Sequence, residues 1–249
     1  MFATLIGVTL DQAKRLADNE AELVAQREAA ELREQFIAVI GHDLRNPLAA
    51  IQAGINLLEK QPPPERAAML LRQMRSSGDR MASLIADVLD LARGRLGGGM
   101  ALKREPVFID VIVRQVVAEL ASTHSEHMIS AECSTSLAID CDPDRLAQLL
   151  SNLLGNALTH GASSEPVRVL CDAKNGHFTL SVTNGGEKIP DQAMAGLFRP
   201  FVRGKAAADR EGLGLGLYIA SEIAAAHEGK LTVVSTSEET RFCFSMPLC

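Results

Sequence analysis

The 249-residue sequence has no tryptophan and only one tyrosine. With so few flat side chains, stacking on single-stranded nucleic acid has little to work with. Positive charge is not in excess either. The formal net charge of -6 disfavours nucleic acid or an anionic lipid surface as the main partner. Long apolar runs are missing: none approaches the ~18 residues a spanning helix needs. The opening MFATLIGVTL lacks the basic flank of a secretory signal and runs straight into DQAKRLADNE. The five cysteines, Cys133, Cys141, Cys171, Cys243 and Cys249, form no CxxC pair. That excludes the usual zinc spacing and points to reduced thiols in a cytoplasmic setting. What is present, 47% hydrophobic and 22% charged residues, is ordinary globular composition in a chain long enough for two small domains.

Glycine and proline are absent from residues 10–35, which are rich in Ala, Glu, Gln and Arg and predict one helix. Ala25, Ala29, Leu32, Phe36 and Val39 keep a short heptad register, while Leu16 and Leu23 fall in another phase. Such a phase break suits a connecting helix that passes on a signal; an Ala-padded solvated linker helix would read the same way. Ile37, Ile40, Leu44, Leu48, Ile51, Ile55 and Leu58 then form one helical stripe, which Gln61-Pro62-Pro63-Pro64 ends. A second stripe follows: Leu70, Met74, Ser77, Met81, Leu84, Val88 and Leu91. Two such helices joined by a short turn make an antiparallel hairpin, and two copies would bury both seams as a four-helix dimer bundle. Gly97-Gly98-Gly99 marks the domain boundary. Beyond it, Asp110–Leu120, Pro143–His160 and Leu213–His227 read as helices. VRVLCDAKNGHFTLSV and LTVVSTSEETRFCFSMP read as hairpins, the first turning at Asn175-Gly176. One sheet of antiparallel strands with helices on one face, an α+β sandwich, is the expected second domain.

The residues with chemistry cluster in a few places. His42 lies two residues from both Ile40 and Leu44, about 200° round a helix. The stripe therefore leaves His42, with Asp43 beside it and Asn46 one turn on, on the outside. A neutral imidazole there offers a nitrogen lone pair, and Asp43 can orient the ring or accept its proton. Pro47 can kink the helix beneath. Gln148, Asn152, Asn156 and His160 recur every four residues and share one polar helix face. Their amide oxygens suit a hard cation such as Mg²⁺ and do not repel phosphates. Gly212, Gly214 and Gly216 alternate just before a helix, where backbone N–H groups can approach phosphate oxygens. The spacing is neither a Rossmann nor a Walker pattern. Phe198 and Phe201 stand beside Arg199, Arg203 and Lys205, apolar anchors with cations, as a lid over a triphosphate would need.

In this order the motifs resemble the catalytic core of the sensor histidine kinases of two-component systems, across nearly all of residues 30–249. HDLRNP resembles the H box, NLLGNALTHG the N box, NGGEKIP the first glycine box, FRPF the F box and GLGLGLYIA the second glycine box. The chain is also similar to soluble, phytochrome-linked members. The resemblance implies a signalling helix over 1–34, a dimerising phosphotransfer hairpin over 35–96, a linker over 97–101 and a gyrase-like ATP-binding domain over 102–249. His42 would accept the γ-phosphoryl group of ATP with Asp43 as base. Asn156 would coordinate Mg²⁺, supported by Asn152. His160 falls near the phosphates and adenine, Asn184 where an aspartate usually reads the adenine amino group, and Gly186 in the same box. Phe198 belongs to the lid, and Arg203 would meet the γ-phosphate. Gly212, Gly214 and Gly216 would cradle phosphates. Asp43 through Asn46 also matches the acidic-x-x-Asn/Thr pattern tied to phosphatase activity.

The first glycine box departs from DxGxG: the aspartate is Asn184 and the second glycine is Lys188, and Thr159 stands where a basic residue is common. The expected activity is autophosphorylation of His42 and transfer to an aspartate of a response-regulator receiver domain. An upstream sensor domain is expected if the sequence is a fragment of a longer protein, and no membrane span or nucleic-acid partner. The alternative is a non-catalytic dimeric scaffold with a degenerate nucleotide pocket. A gyrase-type ATPase would need a carboxylate to activate water, and the helix from Leu146 to His160 offers none.

Overall fold

The structure is a computed structural model that describes residues 41, 43–95, 100–123, 127–134, 138–202 and 213–248. The expected signalling helix over 1–34, the expected phosphoacceptor His42, the linker glycines 97–99, Arg203 and Gly212 lie outside the described residues. The chain divides into two compact units, Met1–Gly78 and Asp79–Cys249.

In the first unit, helix α1 (43–58) runs to a turn at Gln61, whose φ is +50°, and helix α2 (Pro64–Arg95) begins within the proline block. Proline at a first helical turn forfeits no hydrogen bond, so the block both ends α1 and starts α2. The apolar stripe of α1 stays largely open: Leu48 is 44% and Ile55 43% exposed. The covered positions are Asp43, Pro47 and Gly54. A Cβ on Gly54 would lie 2.6 Å from Cγ of Met74, so the two helices meet most closely at that glycine. This corrects one expectation. Asp43 is only 6% exposed and does not stand on the outer face, whereas Asn46 does. Gly54 nests α1 against α2, and Leu48 and Ile55 of the stripe stay exposed, as a bundle completed by a second copy requires. In α2, Gly78 has nothing within 4 Å of the position a Cβ would take.

In the second unit, strand β1 (Glu105–Phe108) leads into α3 (Ile109–Thr123), then β2 (Ile129–Cys133), β3 (Ala138–Cys141) and α4 (Pro143–His160). The hairpin β4 (Val167–Lys174) and β5 (His177–Gly185) follows, then α5 (Asp191–Met194), α6 (Gly216–Ala226), β6 (Lys230–Ser235) and β7 (Glu239–Pro247). The main sheet has the order β2-β4-β5-β7-β6. Alternation along the strands builds its inner face: Phe178, Leu180 and Val182 from β5, and Phe242, Phe244 and Met246 from β7. Leu146, Leu149, Leu150, Leu153 and Leu154 of α4, with Ile219 and Ile223 of α6, are among the buried helical residues of this core. Each such side chain contributes about 1.5–3 kcal/mol by burial.

The expected hairpin turn at Asn175-Gly176 is present, both residues having positive φ (54° and 76°), and α4 has the expected bounds. Three features differ. β2 pairs parallel to β4, and β1 and β3 form a separate two-stranded antiparallel sheet. Helix α6 begins at Gly216, not Leu213, because Gly214 takes a φ of +67°. The expected reduced thiols are not all free: Cys133 and Cys171 are partners in the β2–β4 register, 4.5 Å apart at Cα, and form a disulfide. Among the described residues no helix is long and apolar enough to cross a membrane.

Candidate functional site

Helix α4 is the spine of the site. Its N-cap Asp142 accepts from the Arg145 backbone N–H through Oδ1 (3.1 Å) and from that of Lys103 through Oδ2 (2.8 Å). The Asp142 N–H donates in turn to Nε2 of His227 (3.1 Å), while Nδ1 of that ring lies 2.9 Å from the Ile223 carbonyl. A carbonyl can only accept, so Nδ1 carries the proton and His227 is the neutral tautomer with both nitrogens satisfied. The buried ring thereby locks the start of α4 to the end of α6.

Along α4 the leucines turn inward, and Asn152 and Asn156 are half-buried on the polar side. Asn152 Oδ1 would lie 3.4 Å from a Cβ on Gly216, so its amide packs against the first residue of α6. Its Nδ2 is buried without a hydrogen-bond partner. A buried donor left unpaired costs roughly 1–3 kcal/mol, and such an atom fits a ligand oxygen.

At the other end of α4, His160 is exposed, and the helix is closed by Gly161, whose N–H donates to Ala157 O (2.8 Å). Gly161 crosses directly over Asn184 at the end of β5: a Cβ there would be 3.1 Å from Asn184 Cβ. Asn184 is buried, and its Nδ2 donates to Gly185 O (2.9 Å), which fixes the amide so that Oδ1 is the remaining acceptor. Gly186, at φ +135°, approaches the His160 carbonyl. Lys188 is engaged elsewhere, donating to Asp191 on the surface (2.9 Å).

The segment after α5 is pinned at two points. Phe198 packs edge-on against Phe242, ring centroids 6.5 Å apart, and the Phe201 N–H donates to Gly214 O (3.1 Å). The second bond brings the phenylalanine pair to the glycine run across residues 203–212, where Arg203 and Gly212 lie undescribed. The structure thus brings Asn152 to Gly216, His160 and Asn184 to the Gly161–Gly186 crossing, and Phe201 to Gly214. Asp43 and Asn46 belong to the other unit. Asp142 and His227 lie outside the motifs, and Gly161, the last residue of NLLGNALTHG, had no role assigned to it. The only local signal was Asp-Pro before the leucine run, an N-cap followed by proline.

A helical hairpin followed by a layer of helices on a mixed sheet, with glycines at a helix start and amides on the facing helix, defines a nucleotide-binding ATPase-type module behind a helical bundle. Family models agree. Residues 141–249 match the histidine kinase-, DNA gyrase B- and HSP90-like ATPase family, and residues 32–97 the His Kinase A (phospho-acceptor) domain. The chain belongs to the histidine kinases, carrying their catalytic core. It is 36% identical over 225 residues to a bacteriophytochrome of Pseudomonas aeruginosa, matching 89% of this chain and 30% of that protein. With the probable sensor histidine kinase TcrY of Mycobacterium tuberculosis it shares 31% identity over 251 residues, 99% of this chain and 52% of that protein. Full-length ShkA in complex with AMPPNP superposes with a TM-score of 0.63 at 31% identity, over 86% of this chain and 45% of that one. The chain therefore spans less than two thirds of the length of the curated relatives it matches here.

Proposed function

We propose that the protein autophosphorylates His42 from ATP and passes the phosphoryl group to an aspartate of a response-regulator receiver domain. The observation that carries this is the buried, unpaired Nδ2 of Asn152 beside Gly216, a donor waiting for a phosphate oxygen in a family whose ATPase domain it shares. In the reaction a lone pair of the His42 ring attacks the γ-phosphorus. An N–P bond forms, the bond to the ADP oxygen breaks, and the ring's remaining proton passes to Asp43. The transition state demands positioning and charge stabilisation rather than covalent help. Asn184 Oδ1 would accept from the adenine amino group, and Asn152, Gly214 and Gly216 would meet the phosphates, with Arg203 and Gly212 added from their segment. No group of three His, Cys, Asp or Glu side chains that could hold a metal occurs among the described residues. The Asn156 amide oxygen would hold Mg²⁺, which would supply charge neutralisation at the phosphates.

Dimerisation through the open α1 stripe, a cytoplasmic location where ATP is available, and an upstream sensor domain if the sequence is part of a longer protein complete the reading. The Asn46 amide would align water for dephosphorylation of the regulator. The scaffold alternative leaned on Asn184 and Lys188. Lys188 pairs with Asp191 away from the Asn184 amide, so only the neutral Asn184 favours it. The test is transfer of label from ATP radiolabelled at the γ-phosphate. Wild type should become labelled with acid-labile, alkali-stable phosphate, and His42→Ala should not. Equal labelling of the two would sink the assignment.

A further inference from the structure

Asp90, near the end of α2, lies in the same compact unit as the sandwich and is 6% exposed. Its Oδ2 accepts from Arg145 Nη1 at 2.7 Å and from Gln148 Nε2 at 2.9 Å. Arg145 Nη1 also donates to Gln148 Oε1 at 2.7 Å, closing a three-membered ring of polar contacts. Arg145 sits in the first turn of α4, which Asp142, Lys103 and His227 hold fast to the rest of the sandwich. Gln148 heads the same row of polar residues that continues through Asn152 and Asn156. One rigid helix therefore carries the contact to α2 at its start and the nucleotide residues one to two turns on.

We propose that Asp90, Arg145 and Gln148 form a polar clasp that fastens the nucleotide-binding domain to α2 in a resting arrangement and opens before phosphoryl transfer. Three physical points carry it. The carboxylate is buried, so it must be paired while closed. Every member of the ring is a polar group that water can satisfy once the contact opens, so none is left as an unpaired buried group in the open state. The desolvation cost of a buried ion pair nearly cancels its attraction, so such a contact gives register and reversibility more than net stability. The residues act through α4 and are positioning residues. The domain has to reach the histidine and then leave it clear for the regulator, so it needs a parked position that releases cleanly. This last step rests on the kinase reading; the clasp itself does not.

The experiment is hydrogen–deuterium exchange on the full chain without nucleotide, followed by autophosphorylation kinetics. The variants are Asp90→Ala, Arg145→Ala and the swap Asp90→Arg with Arg145→Asp. Each single variant should speed exchange in peptides over 84–91 by about ten-fold or more, roughly the loss of one charge-assisted hydrogen bond, with β4–β5 protection unchanged. The swap should return exchange to within about three-fold of wild type, the residual expected from altered geometry. Unchanged exchange over 84–91 in the single variants overturns the clasp. So does parallel loss of protection in β4–β5, which would make the contact part of the sandwich core, and so does a swap that fails to restore. In the kinetic arm the single variants should raise the saturating rate of His42 labelling about three-fold or more with KM for ATP unchanged; a fall in that rate overturns the resting assignment. If no variant and no wild type labels at all, the kinase reading has failed and the exchange result stands by itself.

Discussion

Replacing Gly161 with alanine presses on the junction between α4 and the end of β5 that carries Asn184. The backbone of Gly161 (φ -72°, ψ 161°) is open to any residue, so no dihedral strain arises. Space is what decides. An added methyl would press into the Ala157 carbonyl oxygen and stand 3.1 Å from Asn184 Cβ and 3.2 Å from its Nδ2. Asn184 is buried and tied to Gly185 O, so it cannot swing aside, and the last turn of α4 must lift from β5. Overpacking of this kind costs about 1–3 kcal/mol. In a unit of this size that lowers the melting temperature by roughly 3–10 °C. Displacing the Asn184 amide should also weaken ATP binding about five-fold, the worth of one neutral hydrogen bond. Gly155→Ala on the same helix is the control. Nothing lies within 4 Å of its Cβ position, so alanine should stabilise α4 by about 0.5–1 kcal/mol. Thermal scans by circular dichroism and calorimetric titration of Mg-ATP read both effects. A Gly161→Ala protein that melts with wild type and binds ATP as tightly refutes the reasoning about this junction.

Three further outcomes follow from particular atoms. In Asn184→Asp, Gly185 O keeps its bond from the Ala162 N–H (2.9 Å), so no carbonyl is orphaned. The new carboxylate should tighten ATP about three- to ten-fold while costing the free protein ~1–2 kcal/mol for a buried charge, and calorimetry showing GTP tightened equally would contradict adenine reading. Asn152→Ala removes a donor that has no partner, so chemical denaturation should shift by less than ~1 kcal/mol while ATP affinity falls about ten-fold; an affinity left at the wild-type value removes Asn152 from the site. Asp87 is pushed up from 3.8 to about 6, first by burial and then by Asp90, so the folded state binds a proton the unfolded chain has lost. Stability therefore falls as pH rises through that window. Asp87→Asn should recover it at pH 7.5, by ~1–2 kcal/mol after allowance for partial exposure, and gain little below about pH 4.

Local patterns carried much of the fold. Helix α4 was readable because a cap, a proline and a leucine face coincide at one place, Asp142-Pro143. The β4–β5 turn was readable because Asn175-Gly176 has few other uses. The parallel pairing of β2 with β4 was not, since register between strands with a whole helix between them leaves no local trace. The Cys133–Cys171 bridge follows from that register and was hidden with it. Asp43 misled for a related reason. Helical phase told which side of α1 is apolar, but closest approach was decided by size, and Gly54 and Pro47 drew α1 inward on their own side. At the proposed nucleotide site the amides and glycines stand out in the sequence by type, whereas Gly161 and the His227 lock act through contacts between segments far apart in sequence.

Helix α2 runs for 32 residues, about 48 Å at 1.5 Å per residue, and belongs to both compact units, with Gly78 at the join. No neighbour demands a glycine there, since the space around it is empty. What the residue supplies is compliance. The rod is easier to bend or unwind at that point than at an alanine, by ~1 kcal/mol, while its two flanks remain stiff. Torque applied at one end would be taken up more readily at Gly78 than in the non-glycine turns beside it.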